Sequence, residues 1–213
     1  MSSDVLVTTP AQRQTEPHAE AVSRNRRQQA TFRKVLAAAM ATLREKSYAD
    51  LTVRLVAARA KVAPATAYTY FSSKNHLIAE VYLDLVRQVP CVTDVNVPMP
   101  IRVTSSLRHL ALVVADEPEI GAACTAALLD GGADPAVRAV RDRIGAEIHR
   151  RITSAIGPGA DPGTVFALEM AFFGALVQAG SGTSTYHEIA DRLGYVVGLI
   201  LAGANEPSTG GSE

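Results

Sequence analysis

The sequence has little of what builds disulfide frameworks, metal centres or membrane segments. Only two cysteines, Cys91 and Cys124, occur in 213 residues. Two are too few for a disulfide framework or a zinc site, so reduced thiols are expected. No uninterrupted apolar run approaches the roughly 18 residues of a transmembrane helix. The N-terminus has no apolar segment behind a basic start, so no signal peptide is predicted. These absences predict a soluble, cytoplasmic protein with no membrane partner.

Catalytic signatures are missing as well. No cluster of histidines, cysteines and carboxylates has the spacing of a metal site. No glycine-rich phosphate loop follows a strand, and no nucleophile elbow occurs. We therefore do not expect an enzyme, and we expect neither a metal nor any other cofactor. Strand-like alternation of useful length and internal repeats are also absent, which predicts an all-α fold.

Acidic residues are scarce in one stretch of the chain. The formal net charge is zero, yet residues 24–74 hold 11 Lys+Arg against 2 Asp+Glu. Residues 1–90 hold 13 Lys+Arg and 7 Asp+Glu, whereas residues 91–213 hold 8 Lys+Arg and 14 Asp+Glu. This reversal of sign suggests two different roles for the two halves. A basic block of such density predicts a polyanionic partner, with an ordinary solvated basic face as the alternative.

Apolar periodicity and helix-breaking residues divide the chain into helices. Residues 1–22 show little periodicity and are predicted to form a disordered arm. The proline-containing stretch 89–100 separates an N-terminal domain of residues 23–88 from a C-terminal domain of residues 101–204, and 205–213 form a flexible tail. We predict helices over about 26–46, 53–60, 64–70, 74–88, 101–115, 118–130, 134–157, 162–180 and 184–203.

Residues 53–70 have the features of a helix-turn-helix. Two short helices are joined by a tight turn at Lys61 and Val62, and Ala57 is small where the helices must approach each other. The second helix begins with small side chains, including Pro64 and Ala65. Its backbone could therefore lie close to the floor of a DNA major groove.

The run LTVRLVAARAKVAPATAYTYFSSKNHLIAEVY, residues 51–82, resembles the DNA-binding domain of the TetR family of bacterial transcriptional regulators. The family pattern is T-V-R-x-I-A-x-x-A-G-V, then T-x-Y-x-Y/H-F, then x-x-K-x-x-L. The matching positions are Thr52, Val53, Arg54, Ala57, Ala60, Val62, Thr66, Tyr68, Tyr70, Phe71, Lys74 and Leu77. Lys61 replaces the turn glycine and Ala63 replaces the usual capping Ser or Thr, so both the turn and the cap are expected to be weaker.

The resemblance implies which residues contact DNA. We expect Thr66 to read a base edge, Arg54 to contact a phosphate or a base, and Lys74 to neutralise a phosphate. Phe71 is expected in the core, Tyr70 either in the core or on a phosphate, and His76 on the surface. The candidate DNA-binding residues are Arg26, Arg27, Thr52, Arg54, Pro64, Ala65, Thr66, Tyr68, Tyr70 and Lys74.

For the C-terminal half, the resemblance implies a helical domain that binds a small effector and dimerises. The last two helices, rich in apolar and small residues, are the predicted homodimer interface. Glu169 could recognise a polar group of the effector, pair with an arginine, or lie at the edge of the dimer interface. Aliphatic side chains dominate the candidate pocket, which predicts a lipophilic effector. The candidate pocket residues are Leu107, Leu110, Cys124, Leu128, Met170 and Phe173.

Two functions follow from these features. The first is a repressor that binds a palindromic operator in double-stranded DNA as a dimer and is released by its effector. The alternative is an all-helical ligand-binding adaptor that does not recognise a DNA sequence. The basic block of residues 24–74 favours the first.

Overall fold

The computed structural model describes the backbone of residues 16–204 and the side chains of residues 25–204. No strand occurs in this range, and the predicted all-α fold is confirmed. Two 3-10 turns, Leu112–Val114 and Gly131–Ala133, follow α5 and α6. The α-helices in the described range are α1 Glu16–Leu43, α2 Val53–Arg59, α3 Pro64–Tyr70, α4 Lys74–Gln88, α5 Met99–Ala111, α6 Pro118–Asp130, α7 Pro135–Ile156, α8 Pro162–Gly180 and α9 Tyr186–Ala204.

Each predicted helix corresponds to one observed helix, and the main difference lies at the N-terminus. Helix α1 begins at Glu16, so residues 16–22 are helical and their predicted disorder is wrong. The sequence after Pro17 has no glycine or proline up to Leu43 and is rich in Ala and Arg. Their helix propensity extends α1 beyond its apolar stripe. Residues 1–15 of the predicted arm and the predicted tail, 205–213, lie outside the described residues.

Side-chain caps and prolines set the starts of several helices. The side chains of Ser73, Asp134 and Asp161 accept hydrogen bonds from backbone amides in the first turns of α4, α7 and α8. Such caps satisfy amide groups that have no partner inside the helix. Proline occupies the first position of α3, α6, α7 and α8, where its missing N–H would have no intrahelical acceptor.

Helices α1 to α4 form an N-terminal head, and α5 to α9 form the body. Helix α4 belongs to both, because it packs against α1 in the head and against α6 and α7 in the body. Within the body, α5 packs against α7 and α9, and α8 packs against α6, α7 and α9. The buried apolar side chains form one continuous cluster through head and body. The predicted border at residues 89–100 therefore lies at the end of a helix that both parts share.

Helix α8 is the one helix in residues 16–204 whose length and composition would allow it to cross a membrane. Its inner side carries the buried residues Leu168 and Phe172, and three other body helices pack against it. A core helix of a soluble protein passes the same test of length and composition.

Besides the ion pair of Arg87 with Glu147 at 3.6 Å, three polar contacts join α4 to α7. Ser73 Oγ donates to Asp134 Oδ2 at 2.8 Å, and Arg143 forms an ion pair with the carboxylate of Glu80. Burial opposes ionisation of Glu80, but hydrogen bonds from His76 and Arg143 outweigh it and hold the pKa of this carboxyl below its usual value. The carboxylate is therefore charged at neutral pH and its ion pair is maintained.

The third contact is made by Arg151, whose side chain is fully buried. Its Nη2 donates to the carbonyl oxygens of Val86 at 2.8 Å and Val89 at 3.0 Å, and its Nη1 donates to Glu147 Oε2 at 2.5 Å. The carbonyls at a helix C-terminus have no intrahelical partner. Arg151 therefore satisfies the C-terminal end of α4 from the neighbouring helix.

We expect Arg151→Met to lower the free energy of unfolding by about 3 kcal/mol, because it leaves buried carbonyls unpaired and removes one partner of Glu147. Urea denaturation of both proteins measures the difference. Arg150→Met is the matched control, because Arg150 is exposed and bonds to the same carboxylate. The control should change stability by less than about 1 kcal/mol. Equal losses in the two variants would contradict the capping role of Arg151.

Candidate nucleic-acid interface and effector cavity

The turn between α2 and α3 is a Schellman motif closed by a lysine. Val62 N donates to Ala57 O at 2.9 Å, and Lys61 N donates to Ala58 O at 3.0 Å. Both bonds require the residue after the C-cap to be left-handed, and Lys61 has φ of 53°. A lysine thus takes the conformation that glycine adopts more easily, as predicted from the substituted turn glycine.

Helix α3 presents its small leading residues to solvent. Pro64, Ala65 and Thr66 are all exposed, while Ala67 is fully buried against the rest of the head. Ala63 precedes the helix without a side-chain cap, as predicted. Tyr68 is 52% exposed on the same outer side. The helix is therefore held by its inner face and leaves backbone, a hydroxyl and a phenol accessible.

Exposed cations lie on α1 and α2, the two helices that pack against α3. Arg26, Arg27 and Arg54 are exposed, and none of them reaches an acidic side chain within residues 25–204. Arg59 differs, because both of its terminal nitrogens bond to the carboxylate of Glu45 at 2.6 Å. Three of the arginines predicted to contact DNA are thus exposed without an acidic partner among residues 25–204, and exposed Lys61 in the turn before α3 also forms no ion pair there.

Two predicted DNA contacts already have partners in the protein. Thr52 caps α2, because its Oγ1 accepts a hydrogen bond from Leu55 N at 3.1 Å. Lys74 Nζ donates to Tyr48 O at 3.2 Å and to Ala49 O at 3.4 Å, and it lies 4.5 Å from the centroid of the Tyr48 ring. Lys74 therefore stabilises the segment after α1. Its ammonium group would have to keep these bonds while it contacts a phosphate.

An aromatic cluster holds the end of α3. Phe71 is fully buried, as predicted, and its ring stacks on Phe32 with centroids 5.0 Å apart. Tyr70 is half-buried, with its ring edge toward Phe32 at 6.1 Å. The surface position predicted for His76 is wrong. Its ring packs against Phe71 and its Nε2 lies 3.6 Å from Glu80 Oε1, because the first turn of α4 faces the junction with the body.

The body contains an apolar cavity of about 340 Å³ between α4, α6, α7, α8 and the start of α9. Of the predicted pocket residues, Cys124, Leu128 and Phe173 line it. Burial raises the pKa of the Cys124 thiol to about 12, so it is a neutral lining group. The remaining lining residues are Tyr82, Gly121, Thr125, Leu129, Arg141, Ile144, Leu176, Val177 and Tyr186.

The other three predicted pocket residues lie elsewhere. Leu107 and Leu110 are fully buried, because α5 packs against α7 and α9 rather than along the cavity. Met170 is 54% exposed on the outer side of α8. Glu169 bonds to His149 Nδ1 at 2.8 Å, so its partner is a histidine of α7 and not an arginine. Tyr82 and Arg141, which line the cavity, were missed because nothing in their local sequence distinguishes them from core or surface residues.

Comparison with known proteins identifies the fold and the head. Residues 35–81, which span α2, α3 and parts of α1 and α4, match the sequence model of "Bacterial regulatory proteins, tetR family". Residues 35–81 are thus similar to the N-terminal region of TetR-family proteins. The sequence resemblance is thereby confirmed, and members of this family are DNA-binding transcriptional regulators.

Solved TetR-type structures match the whole architecture. A TetR transcriptional regulator from Rhodococcus sp. RHA1 has a TM-score of 0.69 at 21% identity, covering 84% of this chain and 98% of that one. FadR from Thermus thermophilus, a TetR-family repressor in complex with lauroyl-CoA, has a TM-score of 0.60 at 18% identity, with coverages of 85% and 99%. FadR from Bacillus subtilis in complex with stearoyl-CoA has a TM-score of 0.54 at 14% identity, covering 81% of this chain and 98% of that one. At these identities the likeness concerns the fold.

The TetR-type turn provides a test of backbone strain. We expect Lys61→Gly to be more stable than Lys61→Ala by about 1 kcal/mol, because only glycine removes the steric penalty of the left-handed conformation. Both variants lose the same charge, so their difference isolates the backbone effect. Thermal and urea denaturation measure it. Equal stability of the two variants would show that the positive φ of Lys61 carries no strain.

Proposed function

We propose that this protein is a cytoplasmic, non-enzymatic repressor of the TetR family. In this proposal it binds a palindromic operator as a homodimer through its last two helices. A small, lipophilic effector then enters the body cavity and releases the DNA. The exposed, unpaired cations on α1 and α2, next to α3, carry the DNA-binding part of the proposal.

The surface of α3 supports base reading at close range. Pro64 and Ala65 are small and exposed, so the helix backbone can approach base pairs without steric hindrance. Thr66 is the base-reading residue in this proposal, through its hydroxyl or its methyl group. Arg54, Arg26 and Arg27 supply the sequence-independent attraction to phosphates. Few hydrogen-bonding groups lie on α3, so DNA shape and the flanking arginines contribute much of the specificity.

The outer sides of α8 and α9 support dimerisation. Phe166, Met170, Phe173 and Val177 recur at helical spacing on α8 and are 37% to 63% exposed. On α9, Tyr195 is 71% exposed and Leu199 is 56% exposed. Contiguous apolar side chains exposed on neighbouring helices are a feature of interaction surfaces. A second copy of the chain would cover this apolar stripe.

The cavity supports a lipophilic effector. Its lining is mostly apolar, and it lies against α4, the helix shared by head and body. The two FadR structures hold acyl-CoA esters in the same overall fold. A ligand that separated α4 from its neighbours would move the head and change the spacing of the two DNA-reading helices in a dimer.

Titration of the DNA beside the protein's own gene with increasing salt tests the DNA-binding proposal. Arg54→Gln should lower affinity for operator and random duplex alike and reduce the salt slope by about 1, because it removes a phosphate neutralisation. Thr66→Ala should lose preference at a single base position. Fluorescence anisotropy with systematically substituted operators measures both.

Arg59→Gln is the matched control, because Arg59 lies on the same helix but is already bonded to Glu45. It should leave the salt slope unchanged. If Thr66→Ala weakened every sequence equally, the base contact would be misassigned. If the unaltered protein did not prefer any palindrome over random duplex, the adaptor alternative would replace the repressor.

Dimerisation can be tested on the apolar stripe. We expect Phe166→Asp and Tyr195→Asp each to convert a dimer to a monomer, because each places a charge in the desolvated centre of the interface. Sedimentation equilibrium measures the mass. Val95→Asp is the control, since Val95 is 83% exposed in the loop between α4 and α5. A monomeric unaltered protein, or dimeric variants, would contradict the proposed interface.

A further inference from the structure

The cavity of the body contains buried polar atoms without partners. The Nε and Nη2 atoms of Arg141 are inaccessible to solvent and donate no hydrogen bond to any group in the part of the chain that the structure describes. The hydroxyl of Tyr82 is also buried without a hydrogen-bond partner among the described residues, and Tyr82 as a whole is 5% exposed. Both side chains line the cavity. A buried donor without an acceptor costs about 1 to 3 kcal/mol, and more when it is charged. Both side chains are therefore suited to an acceptor that enters the cavity from outside the chain.

Other inward-facing arginines of the body have partners. Arg151 is bonded to carbonyls of α4 and to Glu147 through its two terminal nitrogens, and only its Nε has no partner among the described residues. Arg102 donates to the carbonyl oxygens of Ala155 at 2.8 Å and Val97 at 2.6 Å. Arg141 differs from both, because its Nε and Nη2 have no acceptor among the described residues although the side chain lines the cavity. Bonding to backbone carbonyls or to a carboxylate of the protein therefore does not explain the buried position of these Arg141 atoms. Both atoms are closed to a water-sized sphere, so a ligand in the cavity reaches them through a shift of the side chain.

The unbonded atoms of Arg141 identify the shape of the missing acceptor. Arg44 binds the carboxylate of Glu117 through its Nε and Nη2, one to each oxygen. The same two nitrogens are the ones left without partners in Arg141. They form one edge of the guanidinium, and this edge matches the two oxygens of a carboxylate. In an apolar surrounding such a pair is much stronger than at the protein surface.

We propose that the cavity binds a small amphipathic carboxylate, with Arg141 as the main anion-binding residue and Tyr82 as a second hydrogen-bond donor. Its apolar part would lie among side chains such as Leu128, Ile144 and Leu176. The cavity volume of about 340 Å³ lies at the small end of the roughly 300–1,000 Å³ of small-molecule pockets. The ligand class proposed is therefore a medium-chain fatty acid or an aromatic acid of similar size.

The position of the two side chains suggests how such a ligand would act. Tyr82 lies on α4 and Arg141 on α7. The same two helices are joined by the Ser73–Asp134 hydrogen bond and the Glu80–Arg143 ion pair. A carboxylate drawn to Arg141 would act on α7 beside these contacts and thereby on the head. This consequence rests on the proposed function, whereas the binding site itself does not.

Isothermal titration calorimetry with the full chain tests the site, using octanoate and its neutral isostere 1-octanol as probes. We expect octanoate to bind at least about tenfold more tightly, because only the carboxylate can pair with Arg141. This comparison needs no variant. Octanoyl-CoA carries the same chain without a free carboxylate, and it should bind more weakly than octanoate. Equal or tighter binding of either 1-octanol or octanoyl-CoA would overturn the proposal.

Variants locate the contact. Arg141→Met should raise the Kd of octanoate about tenfold and leave that of 1-octanol within about twofold. Tyr82→Phe should raise the Kd of octanoate about threefold. Arg138→Met is the matched control, because Arg138 is an exposed arginine on the same helix, and it should change neither value. An unchanged Kd of octanoate in folded Arg141→Met would overturn the assignment.

DNA release separates this proposal from the function above. If octanoate binds through Arg141 and leaves DNA affinity unchanged, the carboxylate site stands and the effector part of the proposed function fails. If octanoate releases DNA equally well from the unaltered protein and from Arg141→Met, the regulator stands and the carboxylate site fails. Release that requires Arg141 supports both.

Discussion

The attachment of α4 to α7 is the constraint on which the rest of the structure depends. Ser73 meets Asp134, Glu80 meets Arg143, and the carbonyls of Val86 and Val89 meet Arg151. The order of these contacts is the same along both helices, so α4 and α7 run side by side in the same direction. Polar contacts at both ends and in the middle fix one register. The head thus follows α7 as a rigid extension of the body.

The head shows how few side chains need to face DNA when the inner contacts are strong. Phe71 and Ala67 are fully buried, and Phe32 stacks on Phe71, so α3 is held from behind. The outer face can then consist of small residues, which allow close approach to DNA. The strained turn at Lys61 is tolerated because its two backbone bonds fix the angle between α2 and α3. Local strain of this kind persists only where the surrounding packing enforces it.

Periodic and local signals in the sequence predicted the helices and the helix-turn-helix well. The positions of Pro64, Thr52 and Ser73 reveal helix starts, because prolines and caps act within one turn of the helix. The positive φ at Lys61 could be foreseen from the family pattern. Burial of Phe71 followed from its place on the inward face. These predictions succeed because the causes lie a few residues apart in the chain.

Contacts between distant segments were not predictable in the same way. Lys74 bonds to carbonyls some 25 residues earlier, and nothing near Lys74 in the sequence reveals this. Leu107 and Leu128 are equally apolar, yet only Leu128 lines the cavity. Arg141 follows Val140 like any arginine on the edge of an amphipathic helix. Its lack of a partner becomes visible only when α4, α6 and α8 surround it.

The acidic balance of the body complements the basic head. Residues 91–213 carry 14 Asp+Glu against 8 Lys+Arg, so the body as a whole repels DNA while the head attracts it. Attraction is then confined to the face that carries α3. The same asymmetry affects the cavity, because a small anion approaching a negative body needs a local positive charge to enter. Arg141 provides this positive charge, and it has no acidic partner in the described range. An anion can therefore be attracted into the cavity although the body as a whole is negatively charged.

The energies involved make coupling between cavity and head physically reasonable. Typical allosteric coupling amounts to about 1 to 3 kcal/mol. One hydrogen bond to a charged group contributes about 1.5 to 3 kcal/mol. A ligand therefore need not unfold the junction between α4 and α7. Loss or rearrangement of a single contact, such as the Glu80–Arg143 pair two residues from Arg141, is enough to change the preferred position of α4. Because the remaining contacts at the helix ends would persist, the response would be a tilt of the head rather than its release.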